Sequence, residues 1–138
     1  TDLSRRRTLS ENRYEVGMKT RRSVLGDAHV DRASANVTEI DAGFQRYITE
    51  NVWNGVWTSD AFTKRERSIV TIALLAGLGH EEELAMHIRA TLNTGATRED
   101  IREVLMHVAV YAGVPTANTA FRIAKQTYAE IDAAAKGE

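Results

Sequence analysis

Signals that start and stop helices recur along this sequence, and little else interrupts it. One proline and nine glycines occur in 138 residues. Thr38 with Asp41, Thr63 with Glu66, and Thr97 with Asp100 have the spacing of a capping box, in which two side chains satisfy each other's unbonded backbone N–H groups. Gly26, Gly79 and Gly95 stand where a left-handed residue closes a helix, and Pro115 marks a further stop. These marks predict helices over 11–25, 28–35, 39–55, 64–78, 81–94, 98–112 and 116–134.

The apolar pattern agrees. Ile101, Val104, Leu105, Val108, Ala109 and Ala112 step by three and four, which lines one face of a helix. The run IVTIALLAGL (69–78) is apolar nearly all round and predicts a central helix buried on several sides, with other subunits as one source of cover. Its β-branched start suits a strand as well, but the capping signal before it and its length favour a helix. No segment alternates with period two, and no Asn-Gly or Asp-Gly hairpin turn appears. The expected class is all-α, a compact bundle of about seven helices without a sheet. The length fits one domain over 1–138, with residues 1–10 as a loosely ordered arm.

Composition narrows the functions. With no cysteine, disulfides, thiol peroxidase chemistry and cysteine-based zinc sites are excluded. A net charge of −1 argues against a general nucleic-acid binder. Arg5, Arg6, Arg7, Arg13, Lys19, Arg21 and Arg22 form a local exception, read as a solvated basic segment or as an attractor of a small anion or partner subunit. No apolar run reaches the ~20 residues of a membrane span and no signal peptide is visible, so a soluble, cytoplasmic location without membrane association is expected.

Histidine titrates near neutral pH without help, which makes the four histidines the first candidates for chemistry. His80, Glu83 and His87 share one face of a helix, where Glu83 can orient the imidazole of His87 or all three can form part of a charged surface stripe. Leu84, Ile88 and Ala90 around His87 indicate a buried setting. The string HEEELAMH lacks the zincin spacing, and no metal is expected. His107 has Glu103 and Tyr111 four residues to either side, and a tie to Glu103 is the plain reading. His29 lies among charged residues. Trp53 and Trp57, near Tyr47, make either a core patch or a wall for a ligand. Asn118 can cap the last helix or meet a ligand. The residues alone lead to a helical protein with a possible histidine site and no named substrate.

The pattern RYEVGMKTRRSVLGDAHVDRA (13–33) resembles the opening of 4-carboxymuconolactone decarboxylases. So does the block RERSIVTIALLAGLGHEEELAMHIRATLNTGATREDIREVLMHVAVYAGVPTANTAF (65–121), and the likeness runs from about residue 11 to 128. The second block is shared with alkylhydroperoxidase-like proteins, but GDAHVDRA and WNGVWT (53–58) favour the decarboxylase branch. The peroxidase branch carries Cys-x-x-Cys before its histidine, whereas this sequence has His80 and Glu83 there and keeps the histidine as His87. Thr119 replaces the His, Ser or Ala common in relatives, so no role is carried over to it.

The resemblance implies an all-helical homo-oligomer, commonly a hexamer. It also implies cofactor-free removal of CO2 from 4-carboxymuconolactone, giving the 3-oxoadipate enol-lactone of protocatechuate catabolism. Such a reaction needs a donor at the lactone oxygen, a proton for the ring, and cations for the remaining acid. His87 is the expected proton donor, with Glu83, Glu66, His80 and His107 as further catalytic candidates. Arg21, Arg22 or Arg67 are expected to anchor a dicarboxylate, with His29, Trp53, Trp57, Tyr111 and Asn118 as other contacts, while Arg89 points away from His87. The alternatives are an enzyme for another lactone or acidic ring compound, and a non-catalytic small-ligand-binding protein on the same fold.

Overall fold

The computed structural model describes residues 2–137, with the backbone alone over residues 4–11. Arg5, Arg6 and Arg7 of the basic segment therefore have side chains outside the described residues. Among the described residues there are seven helices and no strand, as the periodicity predicts. The chain divides into two compact units, Thr1–Phe62 and Thr63–Glu138.

The first unit holds α1 (Asp2–Leu25), α2 (Asp27–Ala35) and α3 (Ala42–Ile48), the last running into a π-helical turn (Thr49–Trp53). Helix α1 begins at Asp2, so the expected arm over 1–10 is helical backbone from residue 2 onward. Gly26, at φ 90° and ψ 149°, breaks α1 from α2 in a conformation that L side chains avoid. Across this break, Arg22 donates to Asp27 at 3.1 Å and to Asp31 at 2.8 Å.

The helix expected over 39–55 is shorter at its start and changes type at its end. Residues 38–41 form a turn in which the Thr38 N–H donates to the Asp41 carboxylate at 2.8 Å, while helix α3 has no side-chain cap. The Thr38–Asp41 capping box is thus only half made. Beyond Ile48 the hydrogen bonds lengthen in sequence, from the Asn54 N–H to the Thr49 carbonyl. Here α1 comes close: a Cβ on Gly17 would lie 1.9 Å from the Thr49 oxygen. Val24, Val30, Trp53 and Trp57 form the apolar interior of this unit.

The second unit is built from α4 (Lys64–Leu78), α5 (Glu81–Thr94), α6 (Arg98–Tyr111) and α7 (Val114–Ala135). Both capping boxes read from the sequence are complete, Thr63 with Glu66 and Thr97 with Asp100. Gly79 and Gly95 close α4 and α5 in the left-handed conformation. Pro115 lies inside the first turn of α7, a start rather than the expected stop, because a first-turn residue needs no N–H for the helix ladder. Ile72, Leu84, Ile88, Ile101 and Leu105 meet in the core, one or two from each of α4, α5 and α6, and Ala117, Ala120 and Ile123 cover them from α7. The Ser68 hydroxyl donates to that of Thr94 at 2.6 Å, a buried link between α4 and α5.

Within this chain α4 is buried along one face, without cover for its other sides from the chain itself. It buries Ser68, Ile72 and Ala76, while Val70, Leu74 and Leu78 are exposed on this chain. On α6, Ile101, Val104, Leu105 and Val108 are buried as predicted, but Ala112 at the end of the stripe is exposed. No helix among the described residues is long and apolar enough to cross a membrane.

Gly17→Ala tests the close packing in the first unit. Helix propensity alone would favour alanine by about 1 kcal/mol. The Cβ meets a backbone oxygen that cannot swing aside, so we expect a net loss of about 1–3 kcal/mol in chemical denaturation.

The second unit has an acid-sensitive staple. Asp100 accepts two hydrogen bonds from Arg65, at 2.8 and 2.6 Å, and one from the Thr97 N–H at 2.9 Å. The Arg65 guanidinium first, and the Thr97 N–H second, hold this carboxyl well below its ordinary value of 3.8. A depressed carboxyl contributes stability that is present above its unfolded pKa and lost as pH falls toward the folded one. Asp100→Asn should therefore lower Tm by a constant amount above about pH 5, and the gap to wild type should shrink progressively below about pH 4. Thermal unfolding followed across that range checks it.

Candidate active site

Helix α5 is the element on which the chemistry can be built. Glu81, Glu82 and Glu83 occupy its first turn, where negative charge complements the unbonded N–H groups. Leu84, Ile88 and Thr91 fix which face turns inward, and His87 falls on that same face. The imidazole is 7% exposed, as its apolar neighbours predict. The inward face of α5 packs on α4 and α7. At the surface, Arg89 donates to Glu130 and Arg122 donates to Glu81, tying α5 to α7 from outside.

The partners expected for His87 are placed elsewhere. Glu83 is exposed at the start of α5. It lies one turn before His87 on the same side of α5, but in the first turn, where it meets solvent. His80 is exposed at the N-cap of α5 and caps nothing with its side chain. Glu66 is committed to the Thr63 N–H at 2.9 Å, and that bond holds its carboxyl below the ordinary range. The cap therefore takes Glu66 away from the orienting role. Among the described residues no three metal-ligating side chains converge.

His107 is also exposed, and its ring stacks on Tyr111 at 4.9 Å rather than pairing with Glu103. Glu103 turns to Arg102 instead, 3.9 Å away. Both rings of the His107–Tyr111 pair line an apolar cavity of about 290 Å³ with Ile69, Ala73 and Leu74. A smaller cavity of about 180 Å³ lies between α4, α5 and α7, and is lined by Leu84, one turn before His87, and by Thr119. Asn118 is exposed inside α7, five residues past the Gly113 cap, and is not the cap itself. Arg67, on α4, is half-buried.

In the first unit, Trp53 and Trp57 pack ring to ring at 5.3 Å and are buried. Arg22 is held by its two aspartates, and that engagement removes it as a substrate anchor. His29 is half-buried, and burial first, then Arg32 and Arg21, push its pKa down. Arg21 is buried, with burial lowering its pKa. It lines a cavity of about 430 Å³ together with Tyr14, Gln45 and Arg46, three residues that the sequence did not single out. Gln45 and Arg46 lie one turn before Thr49 on α3, and only the π-helical turn brings that face against α1.

The second unit is all-helical among the described residues and buries one imidazole, His87, and the absence of cysteine leaves no thiol chemistry to this scaffold. The model of the Carboxymuconolactone decarboxylase family matches residues 42–126. The chain is 38% identical over 121 residues to the 4-carboxymuconolactone decarboxylase of Acinetobacter baylyi, covering 88% of this chain and 90% of that protein. It is 35% identical over 119 residues to the nitrosuccinic acid decarboxylase of Metarhizium robertsii, covering 86% and 83%. A 4-carboxymuconolactone decarboxylase of Pseudomonas putida is 46% identical over 41 residues, covering 30% of this chain and 85% of that protein. The chain belongs to the carboxymuconolactone decarboxylase family.

Proposed function

We propose that this protein is a carboxy-lyase that converts 4-carboxymuconolactone to the 3-oxoadipate enol-lactone, with His87 as the proton donor. The observation that carries the reaction is the likeness to the Acinetobacter baylyi enzyme along almost the full length of both chains. Burial of His87 on the inward face of α5 supports its role.

The chemistry makes limited demands. The bond from the ring to the carboxylate breaks and CO2 departs. Its electron pair moves through the ring double bond into the lactone carbonyl, so no external electron sink is required. The imidazolium of His87 then gives its proton to the ring carbon beside that carbonyl, and recovers one from solvent. An acid placed for this step contributes about 10²–10⁴ in rate. A donor at the lactone oxygen adds about 3–4 kcal/mol of stabilisation. Within the second unit, Arg67 is the candidate cation for the acid that the substrate keeps, since guanidinium binds carboxylate with two parallel hydrogen bonds.

A second substrate deserves a place because of the relative from Metarhizium robertsii, whose identity and coverage are similar. Nitrosuccinic acid is also a dicarboxylic acid, and its nitro group accepts the electron pair as the lactone carbonyl does. The same imidazole serves either reaction. We further propose a homo-oligomer, for which the hexamer implied by family resemblance is the candidate, located in the cytoplasm. Val70, Leu74 and Leu78 on α4 and Val110, Tyr111 and Val114 beyond it leave apolar area that a second copy would cover.

The purified protein should decarboxylate 4-carboxymuconolactone in a spectroscopic assay, with nitrosuccinate as the comparison. His87→Gln should keep the helical circular dichroism and lower kcat by at least about 100-fold. Turnover near wild type in that variant would remove His87 from the mechanism. Faster turnover of nitrosuccinate would move the assignment to that acid.

A further inference from the structure

We infer that the first unit contains a built site for a small organic carboxylate, with Arg21 as its binding group. Arg21 lies in the last two turns of α1 and is only 8% exposed, yet it lines a cavity of about 430 Å³. Among the described residues its one hydrogen bond goes to the Gln45 amide oxygen at 3.2 Å, a neutral acceptor. Its Nε is buried without a hydrogen-bond partner. A guanidinium stays charged at any pH a protein meets, so it cannot escape burial by losing its proton. A buried charge lacking an opposite one is costly, and such groups are paired or occupied when the protein works.

The cavity supplies what Arg21 lacks except for the anion. Among the described residues lining it, none is acidic. The second cation there, Arg46, is already balanced by Glu50 at 2.8 Å and lies 5.1 Å from the Tyr14 ring. Arg21 therefore leaves one uncompensated positive charge, which suits one carboxylate head. Met18, Val37 and Ala42 add an apolar wall beside it. That combination fits an organic acid with a short carbon body better than an inorganic ion, which has nothing to bury. The volume lies within the ~300–1,000 Å³ of small-ligand pockets. The inference stands on the first unit alone and does not depend on which acid the enzyme decarboxylates.

The three methionines give a local readout. Met18 lines this cavity, and Met86 precedes His87 on α5. In full-length protein carrying labelled methionine methyl groups, butyrate and adipate should shift the Met18 signal saturably. A neutral amide of the same length should leave it unmoved. Arg21→Met should weaken that binding by about 10- to 100-fold, the range of a charge-assisted pair, while raising the ligand-free Tm by removing an unbalanced charge. Arg21→Lys keeps the charge without the two-pronged geometry, and should bind between the two. An unmoved Met18 with every acid, or affinity retained in Arg21→Met, would overturn the site. Phosphate bound as tightly as butyrate would overturn its assignment to an organic acid. A shift at Met86 in the absence of one at Met18 would leave the His87 reading standing and this one refuted. A Met18 shift in a protein that decarboxylates neither acid would do the reverse.

Discussion

The rotation of α5 about its own axis governs what the second unit can do. Leu84 and Ile88 are fully enclosed, and each shares the core with Ile72, Ile101 and Leu105. Truncating such a side chain to alanine costs about 2–5 kcal/mol, so the rotation is held by a large penalty. His87 is three residues from Leu84 and one from Ile88, and it inherits their inward direction. Glu83, four residues before His87, lies on the same side of the helix but in its first turn, where it is exposed. The core thus covers the imidazole and stops short of the carboxylate expected to orient it.

Helix ends hold that rotation at a second level. Gly79 and Gly95 bracket α5 with left-handed turns, which let the chain leave each helix abruptly. The capping boxes at Thr63 and Thr97 start the helices on either side of it. Asp100 closes one of these boxes and also binds Arg65 of α4, so one carboxylate fixes the start of α6 and its approach to α4. Exposed ion pairs usually contribute little. This one differs because the carboxylate is already ordered by the cap, and Arg65 meets it with two parallel bonds.

Much of this was legible because it is local. A Thr-x-x-Glu box, a closing glycine and a three-four apolar stripe act within one or two turns, and α4, α5 and α6 follow them closely. The first unit departs further, and its departures are non-local. The π-helical turn at Thr49 lies where that residue's carbonyl faces Gly17, 32 positions earlier, and no pattern within residues 39–55 carries that information. The spacing of four between Trp53 and Trp57 places the rings together, but their burial depends on what packs over them. Asn118 looked like a cap because it is a capping residue type, whereas Gly113 and Pro115 together start α7 without one. Arg21 and Arg22 are adjacent and chemically alike in the sequence. Only the fold separates them, giving Arg22 two aspartates and Arg21 an amide.

That separation bears on how the protein manages charge. Arg22 sits at the surface, where its pair with Asp27 and Asp31 bridges the break at Gly26 and can be remade with water at little cost. Arg21 has no such latitude, since its one hydrogen bond among the described residues goes to a neutral amide and none of the described residues lining its cavity is acidic. A chain selected only for stability would place an aliphatic residue there, because a well-packed apolar side chain commonly matches or exceeds a buried ion in stability. Retaining a guanidinium in that position is understandable if the energy it costs in the empty protein is returned when an anion enters. The roles we propose for the buried imidazole of α5 and the buried guanidinium of α1 share one principle: a polar group held in an apolar setting meets an acid without dilution by water.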